Sequence, residues 1–244
     1  MDHQELIPHL FRSEFRKITT VLCKFLGIEY IQMAEDITSD TFLAALDTWS
    51  YNGIPENPVA WLYSVAKNKA LNQVKRNHIF SEKIIRHIKP SSGIEEINID
   101  LTDNNIADSQ LQMLFAICHP SISTEAQAAL ALRILCGFGI DEIANAFLTN
   151  KETINKRLFR AKEKLRHEKI QIEFPPDAEI HSRLKNVLTI LYLLFNEGYY
   201  SESRDTVLRE DFCVEAMRLA YQLIENEKTN QPAVNALFSL MCFH

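Results

Sequence analysis

The chain has 244 residues, of which 46% are hydrophobic, and its formal net charge is −6. This length allows one large domain or two to three small ones, with enough apolar residues to bury real cores. The negative total excludes a protein coated in positive charge, but DNA binding needs only a local basic face. Glycine is scarce and alternating strand patterns are few, so we predict an all-α chain.

The N-terminus is polar, with Asp2 and Glu5 near its start, and does not resemble a secretory signal peptide. The longest uncharged apolar run, residues 187–195, is shorter than the roughly 20 residues that a membrane-spanning helix needs. We therefore expect a soluble, cytoplasmic protein that does not contact a membrane. The five cysteines are scattered without a Cys-x-x-Cys pair, which predicts buried free thiols in a reducing compartment.

Two helices are predicted at the N-terminal end, over residues 6–26 and 31–49. Apolar residues recur at helical spacing in both, and Gly27 ends the first. An acidic strip lies on the outer side of the second helix and consists of Glu35, Asp36 and Asp40. A solvated face explains such a strip, and docking on a basic partner is the alternative.

A third helix follows a loop predicted at residues 50–58, where Asn52-Gly53 is a turn pair and two prolines prevent helix continuation. The helix runs over residues 58–76 and combines aromatic, amide and cationic side chains. Aromatic rings can stack on unpaired bases, cations can hold phosphates, and amides can read base edges. For Trp61, a place in the core is the competing explanation.

Residues 78–107 change from a basic start to an acidic end around Pro90-Ser91-Ser92-Gly93, which predicts an interdomain linker. A new packed segment begins at Leu111.

The run of residues 139–169 predicts two helices joined by a tight turn. Gly139 can cap the first, with Glu142 in its first turn. The second opens with the capping-box spacing Thr149-x-x-Glu152 and is rich in lysine and arginine. A short helix followed by a basic helix is how a helix-turn-helix enters a major groove. A solvated helical hairpin is the alternative, because glutamates dilute the basic run.

The second and third helices resemble region 2 of bacterial extracytoplasmic-function sigma factors. The resemblance rests on Ala34-Glu35-Asp36 through Leu46, on Asn57-Pro58-x-Ala60-Trp61-Leu62, and on residues 65–72. It implies docking on the clamp coiled coil of core RNA polymerase by Glu35, Asp36, Asp40 and Phe42. It also implies that residues 50–57 capture a flipped base of the minus-ten element, which needs a pocket with matching hydrogen bonds. The implied minus-ten contacts are Asn52, Trp61, Lys67, Asn68, Asn72, Lys75 and Arg76.

Residues 107–172 resemble region 4 of the same family, which reads the minus-thirty-five element and approaches the polymerase flap. The run from His119-Pro120 to Leu130 is most similar to a subgroup with a long helical C-terminal extension. The implied minus-thirty-five contacts are Thr153, Asn155, Lys156, Arg157 and Arg160. Residues 153–157 depart from the commoner sequence of the family, so its preferred DNA sequence does not transfer.

Residues 173–244 are predicted to form that extension, with helices over 180–196, 212–225 and 233–243 and a stop at 196–200. Family members continue further, which suggests a truncated or short variant. Its exposed apolar face favours a homodimer, and a buried terminal helix is the equal alternative. We hypothesise that the extension restrains or tunes the sigma domains, through intramolecular contacts or a regulator in trans.

No phosphate loop, nucleophile elbow or other catalytic constellation occurs, so we predict no enzyme activity and no cofactor. Cys118-His119 could begin a metal site, but no second pair stands at suitable spacing, and no metal is predicted.

The predicted organisation is region 2 in residues 1–79, a linker in 80–106, region 4 in 107–172 and the extension in 173–244. The predicted function is a sigma factor that binds core RNA polymerase, recognises promoter DNA and helps to open it. One rival is a free-standing helix-turn-helix regulator, which leaves the region 2 block unexplained. The other is a helical adaptor, which predicts no salt-dependent DNA affinity.

Overall fold

A computed structural model describes residues 3–76, 102–199 and 210–244, and within these ranges all regular structure is helical. The all-α prediction is therefore confirmed. The helices are α1 His3–Leu26, α2 Ile31–Asn52, α3 Pro58–Arg76, α4 Asp103–Ile117, α5 Thr124–Ile134, α6 Ile140–Ala146, α7 Lys151–His167, α8 Asp177–Tyr199, α9 Glu210–Glu225 and α10 Pro232–Phe243. A short 3₁₀ turn, Ile28–Tyr30, joins α1 to α2.

Helices α1, α2 and α3 form the N-terminal unit, in which α1 packs on both of the others. Gly27 ends α1 as predicted, because its φ of 106° turns the chain while its N–H donates to the Cys23 carbonyl. Two buried polar contacts fix the packing. The Thr19 hydroxyl donates to that of Thr38 at 3.0 Å, and the Tyr63 hydroxyl donates to Glu14 at 2.7 Å.

Helix α2 is longer than the sequence predicted, and the following loop is shorter. It continues to Asn52, where Gly53 leaves the helix with a φ of 79° and donates its N–H to the Trp49 carbonyl. The prediction that the loop begins at residue 50 is thus wrong by three residues. The glycine of the turn pair ended the helix, and the polar residues before it did not.

Helices α4 to α7 form the middle unit. Its first helix includes residues 103–106, which the sequence had placed in the linker, while linker residues 80–101 lie outside the described ranges. Helices α6 and α7 flank a short turn, in agreement with the predicted pair. The predicted capping residue Thr149 is wrong: Asn150 is the N-cap of α7, and its side chain accepts a hydrogen bond from the Thr153 N–H at 2.8 Å.

Helices α8, α9 and α10 form the C-terminal extension, in which α9 packs against both neighbours. Helix α8 runs through Gly198, so the predicted stop after Asn196 is wrong. The other two helices match their predicted positions closely. No helix among the described residues has the length and apolarity that crossing a membrane requires.

The buried side chains of all three units form one continuous core. Helix α4 packs on α1, α7 touches the turn between α1 and α2, and α8 and α9 pack on the middle unit. The regions expected to act on separate promoter elements are therefore packed together.

Candidate functional site

The acidic strip forms the exposed side of α2, because the opposite side of that helix is buried in the core. Ala34, Ile37, Thr41 and Ala45 recur every three to four residues and are buried. Asp36 and Asp40 project from the other side and are exposed, as predicted. Glu35 is different: its side chain is only 15% exposed and lies 3.8 Å from the guanidinium of Arg133, in the middle unit.

Phe42 is part of the core and also lines the apolar groove between α1 and α2, and its predicted contact with polymerase stays a prediction. It is 3% exposed and packs edge-on against Phe11, with ring centroids 5.1 Å apart. The residue is six positions, or about one and two-thirds turns, beyond Asp36 on α2, which turns its ring toward α1. Its structural role is to support the helix that bears the strip.

An apolar groove adjoins the acidic strip, and the sequence had not indicated it. Phe11, Leu43 and Leu46 are each roughly half exposed and line a cavity of about 830 Å³ between α1 and α2. Exposed leucines beside aspartates on one helix provide both apolar area and charge for a protein partner.

A polar stripe runs along the exposed face of α3. Trp61, Asn68, Asn72 and Lys75 are separated by seven, four and three residues, which places them on one side of a helix. The two amides and Lys75 are exposed, while Leu62, Ala66 and Ala70 bury the opposite side. Lys67 is half-buried and stands to one side of the stripe.

The start of this stripe is held by an aromatic pair. Trp61 is half-buried and packs edge to face against the buried Trp49, with centroids 5.4 Å apart. One part of its ring therefore packs in the core, and the other part is exposed to solvent. Asn52 is exposed, and next to it Tyr51, which the sequence did not single out, is 90% exposed. The side chain of Arg76, also predicted to contact DNA, lies outside the described residues.

A second polar stripe, the basic stripe, runs along α7. Thr153, Lys156, Arg157 and Arg160 line an open groove of about 580 Å³ together with Lys164 and the first turn of α5. The sequence had not selected Lys164. Of the five residues predicted on this helix, the structure brings four together. Asn155 is exposed but lies outside the groove.

The charges of the basic stripe are unevenly compensated. Lys156 pairs with Glu152 at 2.6 Å, and Lys164 pairs with Glu168 at 2.8 Å. Hydrogen bonding to Lys164 and its charge hold the pKa of Glu168 below its ordinary value, so this glutamate stays ionised. The Arg157 guanidinium lies 5.1 Å over the Phe147 ring, and its Nη1 is buried without a hydrogen-bond partner among the described residues.

Cys118 and His119 do not form a metal centre in the described part of the chain, where no cluster of three suitable ligands occurs. Burial raises the pKa of Cys118 to about 12, so it remains a thiol, and metals bind the thiolate. Burial, with the charge of Arg183, lowers the pKa of His119, whose Nδ1 accepts the Ser121 N–H at 3.2 Å.

A groove of about 430 Å³ separates the acidic strip from the middle unit. Its walls come from α1, from the start of α2 including Glu35 and Asp36, and from the turn after α5. Arg16 and Arg133 line it, and the sequence had not selected either. Neither residue stands near the strip in sequence, and their approach depends on how α1 and α5 pack.

Comparison with known proteins matches two stretches of the chain to families. Residues 10–78 match sigma-70 region 2, a range that runs from α1 to the end of α3. Residues 183–244 match a family of unknown function, DUF6596, over most of the extension. No solved structure matches the chain.

Two curated proteins are similar to this chain. The uncharacterized protein R00370 of Rhizobium meliloti strain 1021 is 31% identical over 198 residues, which are 80% of this chain and 46% of that protein. The chain thus spans about half the length of this relative. RNA polymerase sigma factor YlaC of Bacillus subtilis strain 168 is 23% identical over 168 residues, which are 68% of this chain and 93% of that protein.

Proposed function

We propose that the chain is a member of the sigma-70 family, which residues 10–78 match, and that it binds core RNA polymerase and directs it to promoters as a sigma factor of the extracytoplasmic-function type. One observation carries the proposal: the region 2 match spans both the acidic strip on α2 and the polar stripe on α3. A protein-docking face and a nucleic-acid face then stand on adjacent helices of one small unit. RNA synthesis itself belongs to polymerase, so the proposed role includes no catalysis by this chain.

The polymerase-docking face consists of Asp36 and Asp40 with the neighbouring apolar groove. Charge gives orientation and speed of association, while desolvated leucines and Phe11 supply binding energy. This combination suits a basic, partly apolar helical surface such as a coiled coil. Phe42 supports this face indirectly, because its contact with Phe11 fixes α2 against α1.

The minus-ten face consists of the α3 stripe and the end of α2. Asn68 and Asn72 offer amide groups to base edges, and Lys75 offers charge to phosphate. Tyr51 and Asn52 stand beside the turn that the family resemblance assigns to base capture. An exposed ring there can stack on an unpaired base, which is worth about 1–3 kcal/mol.

The minus-thirty-five face is the basic stripe of α7. Helix α6, the turn and α7 have the order of a helix-turn-helix, and the groove beside Arg160 is lined by cations and helix-start groups that suit phosphates. Asn155 stands apart from this groove, so we assign it no phosphate contact. Because polymerase and promoters lie in the bacterial cytoplasm, that compartment is part of the proposal.

The homodimer predicted from the extension stays a prediction. Helix α10 does present exposed apolar side chains, Leu240 and Phe243, in keeping with it. A regulator acting in trans through the extension likewise stays a prediction.

Binding of the purified full chain to bacterial core RNA polymerase tests the proposal. We expect Asp36→Arg to weaken binding by about tenfold or more, since it places a cation against a basic partner. Asp177→Arg is the matched control: it makes the same charge change at an exposed site in the extension. Absence of binding by the intact chain and all variants would favour a free-standing DNA binder or an adaptor.

A further inference from the structure

The arginines of the basic stripe differ from its lysines in having no acidic partner. Lys156 and Lys164 are each paired with a glutamate. Arg157 and Arg160 make no ion pair with any residue that the structure describes. Arg160 is exposed, so water solvates its charge, whereas Arg157 is half-buried and has lost part of its hydration. A half-buried cation without an acidic partner is unfavourable, so the position of Arg157 needs a physical explanation.

An aromatic ring in the turn before α7 holds Arg157 in this position. The guanidinium carbon lies 5.1 Å from the centre of the Phe147 ring. Nη1 of Arg157 is buried and has no hydrogen-bond partner among the described residues. A buried donor without an acceptor lowers stability, and the side chain could satisfy it by turning into water. The cation–π contact opposes that movement, because a ring face attracts a desolvated cation more strongly than a hydrated one.

The Phe147 ring is in turn fixed by the backbone of the turn between α6 and α7. The N–H groups of Phe147, Leu148 and Thr149 donate to carbonyls of α6 at 2.9–3.0 Å. Leu148 has a φ of 48°, and its side chain is 95% exposed. A leucine in the left-handed region is strained, and such residues persist where the surrounding structure determines the backbone firmly. The turn thereby places the ring against α7.

The charge of Arg157 also reaches the start of α5, which forms the other wall of the groove. Ser123, the N-cap of α5, lines that wall. The pKa of the exposed Glu125 lies below its ordinary value, mainly through hydrogen bonds from its own N–H and from Ser123, and the charge of Arg157 lowers it further. A guanidinium and a helix start on opposite walls both attract an anionic oxygen group.

We infer that Phe147 is a positioning residue for Arg157, which binds a phosphate of the DNA backbone between α5 and α7. The inference rests on the proposed function and deepens its minus-thirty-five face. A phosphate suits the site better than a base edge, because Arg157 is held between two helices and not on the exposed side of α7. Since the ring fixes the guanidinium before DNA arrives, less side-chain freedom is lost on binding.

Binding of the full chain to a mixed-sequence DNA duplex of about 20 base pairs tests the inference, because phosphate contacts do not depend on base sequence. Fluorescence anisotropy at several salt concentrations gives the affinity and the number of released counterions. Phe147→Leu removes the ring and keeps an apolar side chain, whereas Phe147→Tyr keeps the ring. Phe238→Leu is the matched control, because Phe238 is a half-buried ring of α10 that packs on Tyr221.

We expect Arg157→Met to weaken duplex binding by about five- to tenfold and to reduce the salt dependence by about one released counterion. Phe147→Leu should weaken binding by about three- to fivefold, because the guanidinium loses its support. Phe147→Tyr and Phe238→Leu should stay within about twofold of the wild-type affinity. Adding Phe147→Leu to Arg157→Met should cause no further loss, since a positioning residue acts only through the residue that it positions.

A merely structural role of Phe147 predicts another pattern. The loss caused by Phe147→Leu would then persist in the Arg157→Met background and follow the thermal stability of each variant. That result would overturn the inference, as would equal affinities of Phe147→Leu and Phe147→Tyr. An unchanged affinity and salt dependence of Arg157→Met would exclude the phosphate contact itself.

Affinity for core RNA polymerase, measured on the same variants, separates this inference from the proposed function. All variants should bind polymerase as the wild-type chain does, because none changes the acidic strip or the apolar groove beside it. If the wild-type chain binds polymerase but shows no salt-dependent DNA binding, the phosphate site is wrong and the polymerase role stands. If it binds neither, the proposed function falls and takes this inference with it.

Discussion

The acidic strip of α2 and the basic stripe of α7 are built in the same way and end in different surroundings. Each is the polar side of an amphipathic helix whose apolar side is buried, in α2 by Ala34 and Ala45 and in α7 by Ile154 and Leu165. The strip is partly covered by another unit of the same chain. The basic stripe faces an open groove. The charges of Lys156 and Lys164 are paired with glutamates in or directly after the same helix.

The two helices thus show two ways in which the access of a partner to a charged surface is limited. The acids beside Lys156 and Lys164 do not hide Arg160, and their exposed ion pairs are worth only about 0–1 kcal/mol. The proposed exchange of these pairs for DNA phosphates would therefore cost little. Covering Glu35 requires the middle unit to pack on the N-terminal unit, because Arg133 lies on α5. It can therefore be relieved only by a movement of units.

The largest expected effect is a loss of stability when the buried side of the helix that bears the stripe is truncated. Leu165→Ala should lower the free energy of unfolding by about 2–5 kcal/mol, because Leu165 is fully buried and its removal leaves a cavity. Phe159→Ala on the same helix is the control, since that ring is 67% exposed, and it should change stability by about 0.5 kcal/mol or less. Urea unfolding measures both. Equal losses would mean that α7 is not anchored by the side that the structure buries.

A smaller effect separates the stripe from the other cations of α7. Arg160→Ala should reduce duplex DNA affinity by about tenfold and the salt dependence by about one released counterion. Arg166→Ala should change little, because Arg166 lies outside the groove and pairs with Glu163 at 2.8 Å. Fluorescence anisotropy at several salt concentrations distinguishes them. Equal affinities and salt dependences for the two variants would contradict a DNA contact made specifically by the basic stripe.

The smallest effect concerns the start of α7, where the stripe begins. Asn150→Ala should lower stability by about 1 kcal/mol, since its side chain caps the Thr153 N–H. Thr149→Ala should cost less, because the hydrogen bond from Thr149 to the Ala144 carbonyl is made by the backbone. Thermal unfolding of both variants gives the order, and the reverse order would reinstate the capping box predicted from sequence.

Most helix ends and the exposed side of each helix could be predicted from the sequence. Gly27 and Asn52-Gly53 marked helix ends because a positive φ is accessible to glycine at little cost, although the second turn began three residues later than predicted. Periodicity placed Asp36 and Asp40 outward and Leu62 inward correctly. The error at Thr149 arose because two adjacent residues, Thr149 and Asn150, could each cap the start of α7. The error at Asn196 arose because Gly198 is accommodated within a helix.

The sequence by itself determined an all-α chain with an acidic strip, a polar α3 stripe and a basic α7 stripe, because helical period and composition are properties of neighbouring residues. Only the tertiary structure decided that Phe42 is core, that Leu43 and Leu46 border a groove, and that Arg133 faces Glu35. The first two facts depend on the packing of α1 on α2, with Phe11 and Phe42 about thirty residues apart, and the third joins residues about a hundred positions apart. Helix period states which residues share a side, and only packing states what lies against that side.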